Sequence, residues 1–436
     1  MARIAFIGAG SVIFTRNLLG DLLEFPELRD VELALHDIDR DRLETAEAMA
    51  RATAREFDAS PRITAHLDRR EAIDGAGYVI NMVQIGGHEA TLRDFEIPAR
   101  YGLRQTIADT LGIGGIFRTL RTAEHMLALG NEIVELCPPS AWLLNYTNPM
   151  AMLCWLVYGG TPLENVVGLC HSVQGTTRDL AELVGVPYEE VTFLGAGLNH
   201  QAFLLRFEHE GESLYPRLRE RMESDPDLQR RVRFALFKRF GFFQTESSEH
   251  AAEYVPWFMR HEGELERLRI PVGEYITRSE DNLAEYERVK AELAAGRTLP
   301  IERSSEYAAL IVHSMVTGEP RVIYGNVRNR GLLPGLVEDS CVEVPCLVDG
   351  TGLRGVPVPE YPPELAALNR TFNNVVELTV RAVLEGRPEL VRLAAALDPN
   401  AAATLTLDEI DALCDELTSA HGEAIPASLR KELVTT

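Results

Sequence analysis

A cysteine and a histidine stand just beyond Gly-Leu pairs in two short turns, Gly168-Leu169-Cys170-His171-Ser172-Val173-Gln174 and Gly197-Leu198-Asn199-His200. Thiolate plus imidazole is a soft ligand set suited to a transition metal. Two protein ligands leave positions open for substrate oxygens, as a catalytic metal requires. Taken singly, a cysteine after a strand is ordinary core filler and a histidine an ordinary hydrogen-bonding residue. The shared Gly-Leu setting is what joins Cys170 and His200 into one candidate site.

The chain opens with a second chemical signal. The β-rich run Arg3-Ile4-Ala5-Phe6-Ile7 enters Gly8-Ala9-Gly10-Ser11-Val12, and a helical pattern follows to about Phe25. Glycines between a strand and a helix let a pyrophosphate approach the helix N-terminus. The third fingerprint glycine is absent, since Ile13 stands there. Asp37, at the tip of the second β-rich run, is placed to bond the adenosine ribose and repel a 2′-phosphate, favouring NAD over NADP. Gly8, Gly10, Ser11, Val12 and Asp37, with Gln84 at the end of a later strand, are the expected cofactor contacts. A metal beside a dinucleotide points to redox chemistry at a carbon bearing a hydroxyl.

Two further runs carry ionisable groups. Asp109 enters the glycine-dense stretch Asp109-Thr110-Leu111-Gly112-Ile113-Gly114-Gly115. It is read equally as an acid, base or hydroxyl acceptor and as a helix cap. Thr245 to Tyr254 holds Glu246, Glu249, Glu253, His250 and Tyr254. Such a run is ordinarily a solvated face; Pro256-Trp257-Phe258 after it suggests an anchored segment able to supply a base or a substrate clamp.

These groups need a scaffold. Strand and helix patterns alternate through Tyr78–Gln84, Trp142–Asn145 and Val166–Cys170, predicting a parallel doubly wound sheet with ligands at the carboxyl ends of its strands. After about residue 200 the texture changes to helices mixed with β-rich pieces. The expected architecture is α/β: a Rossmann-like NAD-binding domain over 1–200 carrying the metal ligands at its end, and an intimately packed α+β lobe over 201–436 for substrate binding and oligomerisation. The 436 residues are 46% hydrophobic and 25% charged, as in globular enzymes, and the net charge of −23 argues against nucleic acid or an anionic membrane as partner. No apolar run is long enough for a signal core or a membrane span, which predicts a cytoplasmic chain. The six cysteines show no paired spacing and are expected to be free thiols.

Together the runs resemble glycoside hydrolase family 4, the NAD- and metal-dependent glycosidases. The resemblance spans nearly the whole chain: Phe6-Ile7-Gly8-Ala9-Gly10-Ser11, Asp37-Ile38-Asp39, Gln105 to Gly112, Asn145-Tyr146-Thr147-Asn148-Pro149, Cys170 to Thr176, Asn199-His200, Thr245 to His250 and Tyr324-Gly325-Asn326-Val327-Arg328-Asn329. Cys-His-Ser-Val is similar to the melibiase-type α-galactosidases of that family. Ile113 departs from it, standing where relatives carry proline, which implies a more flexible loop. The resemblance implies hydrolysis of a small α-galactoside without the usual carboxylate pair. NAD takes a hydride from C3, a base removes the acidified C2 proton, the aglycone leaves by elimination, water adds, and the hydride returns. It implies Mn²⁺ or another divalent ion on Cys170 and His200, with Asn148, Asn326 and Arg328 on substrate. His171 stands where relatives carry an acid, Tyr254 is the expected base with Glu249 behind it, and Asp109 belongs to the catalytic group. A homodimer or tetramer is also implied. Another α-hexosidase of the same family, an α-glucosidase or α-galacturonidase, is the nearest alternative. An ordinary NAD-dependent 2-hydroxy-acid dehydrogenase or a non-catalytic NAD sensor leaves Cys170 and His200 without a role.

Overall fold

The computed structural model describes residues 2–297 and 303–430. Its centre is one thirteen-stranded sheet. Six strands form the parallel part: β1 (Arg3–Ile7), β2 (Glu32–His36), β3 (Arg62–His66), β4 (Tyr78–Asn81), β5 (Trp142–Asn145) and β6 (Val166–Gly168). The remainder are β7 (Val191–Leu198), β8 (Gln201–His209), β9 (Glu212–Ser213), β10 (Phe243–Gln244), β11 (Arg321–Arg328), β12 (Cys341–Asp349) and β13 (Gly352–Gly355). In space β6, β5, β4, β1, β2 and β3 lie side by side, the order of a dinucleotide-binding sheet. The near-continuous apolar runs of these strands follow from cover on both faces; Ala5, Phe6 and Ile7 are wholly buried.

The sheet does not stop at β6. β11 pairs with it antiparallel, Asn326 opposite Gly168, and β12 then links β11 to the β7–β8 hairpin. The second half of the chain is therefore woven into the first half's sheet, and residue 200 sits in the turn between β7 and β8. The helices cover this sheet. Met150–Gly160, buried along nearly its whole length, packs against Gly112–Leu136, and the long helix Pro363–Glu385 returns across both. No helix among the described residues is long and apolar enough to cross a membrane.

One charge-bearing side chain lies in the middle of this sheet. Glu343 of β12 is fully buried between Asn326 and Gly197, and burial, helped by the negative Glu246, pushes its carboxyl up to about 8. Asp398 is also buried and is pushed up to about 7. A folded-state pKa above the unfolded one means that both groups favour the native state below about pH 4 and withdraw that support as pH rises toward 7 and 8. The unfolding free energy measured in urea should therefore fall between pH 5.5 and pH 8.5, by at most about 1.4 kcal/mol per pH unit for each group. Glu343→Gln should flatten that fall; an unchanged slope in the variant disproves the assignment to Glu343.

Candidate functional site

Gly8 follows β1 with a φ of +90°, in the left-handed region open to glycine. A Cβ on Gly10 would lie 2.4 Å from Asp37 Oδ2, so a side chain there would displace the carboxylate. The Gly10 N–H donates to Asp37 Oδ2 at 2.8 Å, and Arg42 Nη1 donates to the Gly10 carbonyl at 3.2 Å. Ser11 is exposed and its hydroxyl makes no capping bond to the helix Val12–Glu24. The first N–H groups of that helix are thus left uncapped by a side chain, which fits a dinucleotide pyrophosphate. Gln84, exposed just after β4, donates to Thr91 Oγ1 and to the Gly87 carbonyl.

Cys170 follows β6 and His200 lies in the β7–β8 turn, so pairing of β6, β11, β12 and β7 brings them together. Cys170 Sγ is 3.3 Å from His200 Nε2 and 3.9 Å from Glu246 Oε2, and His200 Nε2 is 3.6 Å from the same oxygen. Ligand atoms around one tetrahedral ion are spaced by about 3.5 Å, given metal–ligand bonds of about 2.0–2.3 Å. The tautomer of His200 agrees. Thr110 Oγ1 donates to Asp109 Oδ1 at 2.6 Å, so it accepts from His200 Nδ1–H at 3.0 Å, leaving Nε2 bare toward Cys170. A histidine held at one nitrogen by a hydrogen-bonded partner is the usual arrangement of a metal ligand. Burial lowers His200 to about 4, which keeps the ring neutral. Burial also pushes the Cys170 thiol well above its ordinary value, so a cation is what would hold it as thiolate. The residues present fit a divalent transition metal.

Asp109 stands on the other side of His200. Its Oδ1 is 3.8 Å from His250 Nε2, and Asn148 Nδ2 donates to its Oδ2 at 3.2 Å. Burial opposes its charge, but His250, Arg118 and His200 outweigh burial and hold the carboxyl below its usual range. The same balance acts on Glu246, lowered to about 2 against its own burial by His200 and His250. Asn148 Oδ1 is buried without a partner, as are both amide atoms of Asn199. Ala108, His200 and Glu246 all have positive φ, so three non-glycine residues around this pocket sit in the left-handed region.

Glu253 explains how the Asp109 loop is held. Its buried carboxylate accepts the backbone N–H groups of Thr106, Ile107 and Ala108 at 2.7, 3.2 and 3.0 Å. Glu253→Gln replaces part of an acceptor cradle with a donor amide and should lower unfolding free energy by about 1–3 kcal/mol. Urea denaturation tests this; an unchanged midpoint refutes the anchoring role. The glycines after Asp109 are not a flexible loop, as expected from the sequence, but the first turn of the helix Gly112–Leu136. A Cβ on Gly114 would lie 2.2 Å from the Ala108 carbonyl, and one on Gly115 would meet Thr110 at 2.8 Å. These glycines let the helix pack directly on the loop that presents Asp109.

Comparison with known proteins decides the family. The family 4 glycosyl hydrolase model matches residues 3–186, and the model of that family's C-terminal domain matches residues 195–401. The chain belongs to glycosyl hydrolase family 4. An α-galactosidase of Bacillus subtilis (strain 168) is 42% identical over 98% of this chain and 99% of its own length. An α-galactosidase of Rhizobium meliloti (strain 1021) is 35% identical over 97% of this chain and 89% of its own. Among solved structures, the 6-phospho-β-glucosidase of Thermotoga maritima with manganese, NAD⁺ and glucose-6-phosphate is similar at a TM-score of 0.79, with 21% identity over 97% of this chain and 99% of that one. A 6-phospho-α-glucosidase from gut microorganisms, with NAD and Mn²⁺, is similar at 0.81, with 19% identity over 98% and 99%. These two likenesses show the shared fold.

In this family 4 chain the structure rearranges several expectations. His171 stays beside Cys170, half exposed, with Nδ1 on Glu306 Oε1 at 2.9 Å, a contact that raises it to about 9. Tyr254 is fully buried, its ring beside His250 and Phe372, and burial pushes its phenol well above the ordinary value. Its Oη is buried without a partner, near enough to Thr110 and Asp109 for both to act on it. Glu249 turns toward Arg231, 4.0 Å away, and does not join the cluster. Asn326 is wholly buried, donating to the Gly168 carbonyl at 3.3 Å and toward Glu343 at 3.5 Å, with its Oδ1 left without a partner. Arg328 is also corrected. β11 runs antiparallel to β6, so two residues beyond Asn326 the chain has moved to the amino end of β6. There Arg328 pairs with Asp339 at 2.6 Å and lines a separate cavity of about 320 Å³ with Trp142 and Val166. The sequence reading did not place Thr110, Glu246, His250 and Glu306 at the site. Glu246 and His250 belong to the charged run Thr245–Tyr254, which the sequence marks without singling them out.

Proposed function

We propose that this protein hydrolyses α-galactosides with NAD and a divalent cation such as Mn²⁺. The observation that supports this most is the Cys170–His200–Glu246 group at the carboxyl end of β6, on the same edge as the Gly8–Gly10 turn, in a chain 42% identical to an α-galactosidase. When bound, NAD supplies a reversible hydride acceptor for C3 and the cation supplies a Lewis acid for the neighbouring hydroxyl oxygens. The chain's own residues divide the remaining work. Cys170 and His200 hold the cation, with Glu246 in reach. Asn148, its Oδ1 free, receives a sugar hydroxyl and steadies Asp109. Glu249 faces away, so Asp109, backed by His250, and the unpartnered Oη of Tyr254 are the groups that the pocket offers toward the C2 proton. His171 gives its proton to the departing aglycone oxygen.

A panel of nitrophenyl glycosides tests this, with NAD, Mn²⁺ and thiol reductant each omitted in turn. The α-galactoside should be hydrolysed only with all three present and without lasting absorbance at 340 nm. Stoichiometric NADH accumulation favours a dehydrogenase and overturns the proposal.

Asp37 gives a cofactor test. Because its carboxylate also receives the Gly10 N–H, Asp37→Ala should lower NAD affinity by about tenfold. It should also narrow the preference over NADP by removing repulsion of the 2′-phosphate. Titration of both cofactors checks this; wild-type protein that binds them equally places Asp37 away from the ribose.

A further inference from the structure

Glu306 reaches the site from the segment before the helix Ala308–Thr317 and is fastened there from several directions. Its backbone N–H donates to Ser304 Oγ at 3.1 Å. Ser304 in turn donates its N–H to Oδ1 of Asp21 at 2.9 Å and its hydroxyl to Asp21 Oδ2. Asp21 is a buried residue of the helix Val12–Glu24, the same helix that begins at the cofactor turn. Gln174 Nε2 donates to the Ser305 carbonyl at 2.8 Å, and the Ala308 N–H donates to Tyr146 Oη at 3.1 Å. The Glu306 side chain is only 9% exposed, whereas that of His171 is 56% exposed. A surface ion pair between two mobile side chains contributes little. Here one partner is fixed by its backbone and the other stands free except at Nδ1.

A carboxylate can only accept, so the 2.9 Å contact requires the proton of His171 to reside on Nδ1. Nε2 is then the ring nitrogen left without a hydrogen-bond partner among the described residues, on a side chain that is 56% exposed. We propose that Glu306 is a positioning residue for the reaction, holding His171 so that Nε2 serves the departing aglycone and the water that replaces it. This rests on the reading of His171 as the acid given above. As the C1–O bond breaks, its electron pair takes the Nε2 proton and leaves as the aglycone hydroxyl. The pair released at C2 becomes the C1–C2 double bond, and His171 is left neutral. When water adds at C1, its proton returns to Nε2, so no outside acid or base is consumed.

The test compares α-galactosides bearing methyl, 4-nitrophenyl and 2,4-dinitrophenyl leaving groups, with NAD and Mn²⁺ present. Glu306→Gln should lower kcat on the methyl glycoside by about 10²-fold, the scale of a general acid, and change the dinitrophenyl glycoside little. His171→Gln should show the same dependence on leaving group, and the double variant should be no worse than His171→Gln alone. Retained dinitrophenyl hydrolysis shows that the variants are folded. A second readout is independent of turnover: in ¹⁵N-histidine spectra the resonance lost in His171→Gln should report a protonated Nδ1 and should shift in Glu306→Gln. A uniform loss across leaving groups in Glu306→Gln, or an unmoved His171 resonance, overturns the proposal while leaving His171 as the acid. A flat leaving-group dependence in His171→Gln overturns the reading of His171, and the proposal with it.

Discussion

Cys170→Ser is expected to lower kcat/KM for an α-galactoside by at least about 10³-fold, with NAD binding intact. A Lewis acid at a developing oxyanion is worth several kcal/mol, and about 4 kcal/mol corresponds to ~10³ in rate. The serine hydroxyl does not ionise near neutral pH, so the soft anionic donor 3.3 Å from His200 Nε2 is lost while the histidine and its Thr110 support remain. NAD binding survives because the Gly8–Gly10 turn is held by the His36 carbonyl of β2 and by Asp37. Titration with NAD, metal content and hydrolysis rate together give the test. A serine variant as active as wild type in metal-depleted buffer defeats the assignment.

Hydrolysis in D₂O should place deuterium at C2 of the released galactose. A displacement by two carboxylates leaves the C2–H bond untouched, whereas elimination must break it. The geometry favours the second route. Asp109 and Glu246 flank His200 and His250, and both are held ionised against these buried histidines instead of standing apart as an acid and a nucleophile. Proton NMR of the product decides the matter: a full-intensity C2 proton after complete hydrolysis rules elimination out. The anomeric configuration should be retained.

The parallel half of the fold was readable from apolar runs ending in glycine or polar turns, because strands covered on both faces leave that trace. Cys170 and His200 were readable as a pair because each ends a Gly-Leu turn. Their neighbours were harder. Glu246 reaches Cys170 only after β8 and the two-residue strand β10 carry the chain back across the sheet, a path that local patterning does not encode. In the charged run after Thr245, Glu246 precedes the helix Ser248–Glu253 with a φ of +68° and meets His250 beside the ligands, whereas the helix sends Glu253 to the Asp109 loop and Glu249 to Arg231. Residue types alone do not distinguish those faces. Arg328 was misplaced for a similar reason, since strand direction decides which end of the sheet it reaches.

The insertion of β11 beside β6 makes the two halves dependent on each other at the level of backbone. Cutting the chain between β6 and β11 and separating the fragments would bare the unpaired edge of β6 on one piece and the edges of β11 or β12 on the other. Bare edges of this kind recruit strands from other molecules. The isolated halves should therefore be aggregation-prone, and a nick in the connecting region should be tolerated only while the fragments stay paired. Opening of the pocket must then come from side chains and local segments, since a hinge between halves would have to tear hydrogen bonds out of the sheet.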